Sequence, residues 1–159
     1  MGIAAHRLSQ RTHPSGREAL QAVEVEAEFC GLLTQLGRYA DAARWGELAL
    51  KIGKATGGDK SSQLQSLWVH CLLSLADPYL FMGLVEQAQL LFNEALELSQ
   101  AENSKDRSKT VHALRGLARV KRMTGEFSES RKQGAEAMEL ARKLIVEEGE
   151  EWANYLFDL

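Results

Sequence analysis

The chain repeats one helix-turn-helix pattern three times, and this repetition constrains its fold more than any single residue does. Each copy has a glycine between two helical stretches, an aromatic or branched residue two positions later, and then small residues at helical spacing. The three glycines are Gly37, Gly83 and Gly125, so successive copies are 46 and 42 residues apart. Periods of this size are typical of stacked helix pairs, in which one pair cannot bury its apolar face alone. The pattern therefore predicts a repeat array, whose extended surface is suited to holding another molecule.

The composition favours an all-α fold. Of the 159 residues, 45% are hydrophobic and 26% are charged, which is typical of an ordinary soluble protein of about one domain. Only two residues are proline, so long continuous helices are permitted. No stretch alternates β-branched and polar residues between turns, as a half-buried strand would. We predict an α-α solenoid of three helix pairs with a C-terminal capping helix.

Capping and turn residues divide the chain. Residues 1–14 are expected to be a flexible leader, and the repeats to span about residues 15–57, 58–103 and 104–147. Ser15 and Glu18 have capping-box spacing, in which each side chain satisfies a free backbone amide of the first turn. The predicted helices run over about residues 15–37, 38–55, 62–83, 85–99, 106–124 and 127–146. Because Pro78 removes a backbone hydrogen bond, we expect the third helix to kink or split near residues 76–77.

The terminal segment, residues 148–159, has apolar side chains on one face of a short predicted helix. They are Trp152, Tyr155, Leu156 and Leu159. Such a helix would shield the last repeat from water, because the end of a repeat stack otherwise exposes an apolar face. The alternative is that it docks on a partner or on a second copy of the chain.

Cysteine usage and the lack of long apolar runs indicate a reducing, aqueous compartment. Cys30 and Cys71 are the only cysteines and lie in separate apolar helical stretches, which favours free thiols packed in a core. No apolar run approaches the roughly 18 residues that span a bilayer. We expect the cytoplasm or another reducing compartment. The first 17 residues contain three arginines and no acid, which leaves import of a longer precursor into an organelle open.

The repeated positions resemble the tetratricopeptide repeat family over about residues 18–144. The first helices supply pairs of small or apolar residues, the turns supply the three glycines and the bulky residue after each, and the second helices supply small residues. The matching residues beyond the glycines are Phe29, Cys30, Leu75, Ala76, Leu117, Ala118, Tyr39, Val85, Phe127, Ala42, Ala88, Ser130, Ala49, Ala95 and Ala137. The period is closer to the repeats of about 42 residues in kinesin light chain and Pins-type adaptors than to the usual 34.

The resemblance implies a right-handed superhelix of seven helices. In such a superhelix the first helices of the pairs line a concave groove that binds an extended or helical peptide. On this chain the implied groove includes Glu24, Glu28, Gln35 and Ser74. The residues predicted to contact the partner are His70, Leu73, Asp77, Phe81, His112, Arg115, Arg119 and Arg122.

The three arginines Arg115, Arg119 and Arg122 are spaced at i, i+4 and i+7, which places them along one helix face. Guanidinium groups bind carboxylates and phosphates with paired hydrogen bonds, so the row predicts an acidic or phosphorylated partner segment. Leu73 and Phe81 would supply apolar contact. The alternative interpretation is a solvated basic face.

Charge is unevenly distributed along the chain. Residues 1–58 contain 7 basic and 6 acidic side chains, residues 59–100 contain 1 and 5, residues 101–145 contain 11 and 6, and residues 146–159 contain 0 and 5. A basic third repeat therefore lies between an acidic second repeat and an acidic tail. One hypothesis is that the tail contacts the basic repeat and competes with an acidic ligand.

Several narrower functions are not supported. The family's carboxylate clamp for chaperone tails needs Lys and Asn where this chain has Ala27, Gly31 and Ser74. The histidines His6, His13, His70 and His112 lack metal-ligand spacing, and no phosphate-binding loop or nucleophile motif is present, so we predict no metal, no cofactor and no enzyme.

We predict an adaptor or regulatory module that binds a protein segment in its groove. The alternative is a homotypic oligomerisation or sensor module, with a homodimer formed through the terminal helix. Nucleic-acid binding ranks lower, because the net charge is −3 and the basic patch lacks interleaved aromatic residues.

Overall fold

The computed structural model describes residues 16–57, 64–101 and 107–148, and these residues form three antiparallel helix pairs. The helices are α1 (Gly16–Gln35), α2 (Tyr39–Ala55), α3 (Gln65–Phe81), α4 (Val85–Ala101), α5 (Ser108–Met123) and α6 (Phe127–Glu148). No strand occurs within these ranges. The predicted all-α class is confirmed, and each helix end that lies among the described residues is within about three residues of its predicted position.

The three predicted glycine turns share one geometry. Gly37, Gly83 and Gly125 have positive φ angles of 73°, 77° and 82°, a region that residues with a Cβ atom avoid. At the first turn, the amide of Gly37 bonds to the carbonyl of Thr34 and the amide of Arg38 bonds to the carbonyl of Leu33. The same pair of bonds recurs at the other two glycines. This is the Schellman motif, which satisfies the last carbonyls of the first helix and reverses the chain into the second.

The helices are arranged in two layers. Within each pair, α1 packs on α2, α3 on α4 and α5 on α6. Between pairs, α1, α3 and α5 contact one another in sequence and form one layer, while α2 contacts α3 and α4 contacts α5. The first helices of the pairs therefore lie side by side, as an α-α solenoid requires.

The core is continuous across the pairs because small residues let the helices approach closely. The largest cluster joins α3, α4 and α5 and contains Trp68, Leu72, Leu80, Phe92, Leu117 and Val120. A Cβ atom at Gly46 would lie 3.0 Å from the Cβ atom of Leu75, so α3 sits directly on α2. A Cβ atom at Gly116 would overlap the ring of Phe92.

Of the two outcomes expected at Pro78, a kink or a split of the third helix, the split is wrong. Helix α3 runs without interruption from Gln65 to Phe81 with Pro78 inside it. Two features explain the continuity. Pro78 is buried and lies in the last turn of the helix. Its missing N–H leaves the carbonyl of Ser74 without a helical partner, and this carbonyl accepts a hydrogen bond from the thiol of Cys30 instead.

Several predictions lie outside the described residues. They concern the leader 1–14, the cap at Ser15, and the terminal segment after residue 148 with its stripe from Trp152 to Leu159. Helix α6 has exposed charged side chains at Lys132, Glu136, Glu139, Arg142 and Lys143, and exposed apolar ones at Met138 and Val146.

Candidate functional site

One cavity opens on the layer formed by α1, α3 and α5, and we call it the groove cavity. Its volume is about 650 Å³. All its lining residues come from the first helices of the three pairs: Glu28, Gly31, Thr34, Gln35, His70, Leu73, Ser74, Asp77, Ser108, Lys109 and His112. A single ligand in this cavity would therefore contact all three repeats.

The floor of the groove cavity contains a carboxylate–imidazole pair. His112 on α5 and Asp77 on α3 are joined by a hydrogen bond of 2.7 Å between Nε2 and Oδ2. Both side chains are mostly shielded from water. The bond crosses from one repeat to the next and fixes the orientation of both groups. It leaves the second Asp77 oxygen and the other ring nitrogen as the polar atoms that could contact a ligand.

His70 is the second imidazole of the groove cavity, and it differs from His112 in having no good hydrogen bond at Nε2. That nitrogen is buried and lies 3.4 Å from Oε1 of Glu28, without hydrogen-bond geometry. Burial lowers the pKa of His70, and this outweighs the opposing effect of the Glu28 carboxylate. His70 is therefore neutral at physiological pH, and its ring lines the groove cavity while Nε2 is covered by the protein.

An aromatic and guanidinium stack joins the start of α2 to the end of α3 and to α5. The rings of Tyr39 and Phe81 are stacked with centroids 4.8 Å apart and planes 13° from parallel. The guanidinium carbon of Arg119 lies 4.9 Å from the Phe81 ring centroid, within cation–π range. These three residues belong to three different repeats. The stack therefore holds Arg119 in a defined position.

A second concavity lies between α5 and α6, and we call it the arginine notch. Its volume is about 560 Å³, and it is lined by Ala118, Arg119, Arg122, Phe127, Ser130, Arg131 and Gly134. Ser130 donates a hydrogen bond of 2.7 Å to the carbonyl of Ala118, which fixes the two helices here. Three guanidinium groups around one concavity favour an anionic group such as a carboxylate or phosphate.

The structure divides the predicted site residues into groups. His70, Leu73, Asp77 and His112 line the groove cavity, although Leu73 is almost fully buried in its wall. Phe81 belongs to the aromatic stack, Arg122 lines the arginine notch, and Arg119 takes part in both. Arg115 is partly exposed and lines neither of the two concavities among the described residues.

Sequence reasoning missed Ser108, Lys109 and Arg131. Lys109 lines the groove cavity and donates a hydrogen bond of 2.6 Å to Ser66 of the preceding repeat. Lys109 is three residues before His112, so helical periodicity gave a usable signal. Arg131 is on a second helix, where the family pattern predicts no groove residue.

Among residues 16–57, 64–101 and 107–148, no group of three or more His, Cys, Asp or Glu side chains is placed to hold a metal ion. Within the same ranges, no helix combines the length and apolarity needed to cross a bilayer.

The layered helix pairs and the groove define an all-α helical repeat protein. A family model for the tetratricopeptide repeat matches residues 68–143. The match covers slightly less than half of the chain and supports the resemblance to the tetratricopeptide repeat family seen in the sequence. The match does not separate the repeats of about 42 residues from shorter ones, so that subtype stays a prediction. No curated protein sequence and no solved structure is significantly similar to the chain.

Proposed function

We propose that the protein is an adaptor or regulatory module whose groove cavity binds a segment of a partner protein. Tetratricopeptide repeats typically serve as non-catalytic scaffolds for protein–protein contact. The observation that carries the proposal is the groove cavity itself, which spans three repeats and is lined by polar or charged side chains from each of them.

We further propose that the bound segment is acidic or phosphorylated. Arg119 and Arg122 line the arginine notch, with Arg131 beside them, while the groove cavity adds Lys109. Phe81 fixes Arg119 at 4.9 Å and is itself exposed, so an apolar side chain next to the acidic group of the ligand would contact its ring. The mixed surface matches a segment with both anionic and apolar residues.

The test is an affinity capture of partners with mass spectrometry. The intact protein is compared with Arg115→Glu/Arg119→Glu/Arg122→Glu and with a control of equal charge change, Lys132→Glu/Arg142→Glu/Lys143→Glu on exposed positions of α6. Circular dichroism establishes that each variant is folded. We expect a partner that the intact protein and the control retain and the arginine variant loses.

The captured partner then gives the ligand chemistry. Phosphorylated and unphosphorylated peptides from it are titrated against the intact protein by calorimetry, and a free phosphate titration measures the contribution of the anion alone. Identical partners for all three proteins would contradict the proposal. Equal affinity for the two peptides, in a segment without acidic residues, would contradict an anionic ligand.

A further inference from the structure

The second half of helix α1 and the residue after it carry an exposed apolar stripe. The stripe consists of Val25, Phe29, Leu32 and Leu36, whose exposed fractions are 57%, 39%, 55% and 72%. Their spacings of four, three and four residues place them on one helix face, in the pattern by which two helices pack along a seam. Phe29 is held edge-on against Trp45 of α2, with ring centroids 5.0 Å apart. The stripe is therefore an ordered apolar surface.

The equivalent positions in the other two repeats show that this face of a first helix packs against another helix. The α1 stripe lies 12, 8, 5 and 1 residues before the turn glycine Gly37. In α3 and α5, the positions 12, 8 and 5 residues before the glycine are all buried: Cys71, Leu75, Pro78, Ala113, Leu117 and Val120. Leu75 is the residue that reaches 3.0 Å from the Cβ position of Gly46 on the preceding pair. This face is where a first helix packs on a neighbouring helix.

The opposite end of the described array is different. The exposed side chains of α6 are mostly charged, with Phe127, Met138 and Val146 as separate apolar ones, and a mostly charged surface is expected at a solvated end of a repeat stack. The apolar α1 stripe does not follow that rule. Exposed contiguous apolar patches normally mark an interface, so the stripe is a candidate interface.

We propose that the α1 stripe is an interface with a second copy of this chain, formed by antiparallel pairing of the two α1 helices about a twofold axis. The spacing of four, three and four residues reads the same in both directions. Antiparallel pairing therefore places Val25 opposite Leu36 of the second copy and Phe29 opposite Leu32, so each apolar side chain meets another. A surface that is complementary to itself in this way gives a closed dimer.

Charge selects the antiparallel arrangement. Parallel α1 helices would place Glu24 beside Glu24 and Glu28 beside Glu28 of the second copy, and like charges at close range repel. In the antiparallel arrangement Glu24 lies opposite Gly37 of the second copy, so it no longer lies beside another Glu24. The opposed helix dipoles add to this preference.

The size of the α1 stripe indicates a weak dimer. It covers about 17 Å of helix, since each residue advances the helix by about 1.5 Å. The four apolar side chains of each copy are only 39–72% exposed, so their pairing buries less area than a standard specific interface. Interfaces of this size are typical of weak, transient complexes. This inference is independent of what the groove cavity binds.

The first experiment is sedimentation equilibrium of the full chain over a wide concentration range. We expect the mean mass to rise from one chain to two and then to stop. Leu32→Glu should abolish the rise. The matched control is Leu90→Glu, since Leu90 on α4 is also apolar and 69% exposed. Circular dichroism checks that both variants are folded. The control should dimerise as the wild type does.

A crosslinking experiment tests the antiparallel register. About a twofold axis between residues 30 and 31, the Cα atoms at position 32 of the two copies are roughly 10 Å apart and those at position 36 roughly 19 Å apart. A short bismaleimide should therefore join two copies of Leu32→Cys and leave Leu36→Cys uncrosslinked. The native Cys30 and Cys71 are buried, and the wild type serves as the background control.

Each contrary outcome overturns the proposal. A wild type that stays monomeric at millimolar concentration shows that the α1 stripe does not bind a second copy. A mean mass that grows beyond two chains indicates head-to-tail stacking of α1 on the last repeat of the next copy. Crosslinking at position 36 but not at position 32 excludes the antiparallel register. A dimer that survives Leu32→Glu places the interface elsewhere, the terminal segment included.

Discussion

The thiol of Cys30 on α1 donates a hydrogen bond to the backbone carbonyl of Ser74 on α3, with a distance of 3.0 Å from Sγ to O. This carbonyl would normally accept a bond from the amide four residues later, but that residue is Pro78, which has no N–H. Burial raises the pKa of Cys30 to about 11, so the thiol keeps its proton at neutral pH and remains a donor. A side chain of the first repeat thus satisfies a carbonyl that proline leaves free in the second.

We predict that Cys30→Ala lowers the free energy of unfolding by about 1–2 kcal/mol, because it removes the hydrogen bond and leaves a small cavity. In a Pro78→Ala background the cost should be smaller by about 0.5–1 kcal/mol, because the new backbone N–H at position 78 then satisfies Ser74. Urea denaturation of the four proteins measures this coupling. Cys71→Ala, at the other buried thiol, should show no coupling to Pro78→Ala. Additive effects of the Cys30 and Pro78 changes would contradict the assignment.

Two helical glycines should respond in opposite ways to the same substitution. A Cβ atom at Gly116 would lie 2.3–2.5 Å from three ring carbons of Phe92, which is fully buried and has no room to move. We predict that Gly116→Ala destabilises the fold by about 1–3 kcal/mol. Gly134 has nothing within 4 Å of its Cβ position, so Gly134→Ala should stabilise the fold by about 0.5–1 kcal/mol through helix propensity. Thermal and urea denaturation compare the two, and a loss of stability in both variants would show that the contact with Phe92 is not decisive.

The sequence was sufficient for the features that repeat. The turn glycines, the helix pairs and the participation of His70, Asp77 and His112 in one concave layer all follow from periodicity, because each repeat packs on the next in the same way. The sequence could not predict features that depend on contacts between residues far apart in the chain. The continuity of α3 through Pro78 rests on a thiol 44 residues away from Ser74.

The same limit applies to the candidate site. Arg131 reaches the arginine notch from α6, and Arg115 lines neither concavity among the described residues, although its spacing matches Arg119 and Arg122. Helix spacing alone gives the face on which a side chain lies. It does not give the position of the neighbouring helix that closes the concavity, because the angle between successive repeats is set by core packing.

Glu26 should give the protein a pH-dependent stability. Its side chain is fully buried in the first repeat, and neither carboxyl oxygen has a hydrogen-bond partner. Burial raises the pKa of Glu26 from 4.5 to about 7. Between pH 4.5 and about 7 the folded protein binds more protons than the unfolded chain. The contribution of Glu26 to the free energy of unfolding is therefore greatest below about pH 4.5 and falls as the pH rises to about 7.

We therefore predict that Glu26→Gln is more stable than the wild type at pH 8 by on the order of 1–2 kcal/mol, and that the difference disappears near pH 4.5. Urea denaturation at several pH values measures it. The comparison with the wild type matters because His70, whose pKa is lowered, contributes the opposite slope below about pH 6.5 in both proteins. A difference that does not vary with pH would show that Glu26 titrates normally.

The contact between Phe81 and Arg119 should contribute to stability and should orient the arginine for a ligand. The guanidinium lies 4.9 Å from a ring that is itself stacked on Tyr39. In a double-mutant cycle of Phe81→Leu and Arg119→Gln, we predict a coupling of about 0.5–1 kcal/mol, which is the range of cation–π contacts at exposed sites. Urea denaturation measures the coupling, and the matched cycle of Phe81→Leu with Arg131→Gln should give none. If Phe81 also orients Arg119 for binding, Phe81→Leu should weaken capture of an acidic segment even though the charge of the protein is unchanged. Full retention of binding would mean that Arg119 acts through its charge alone.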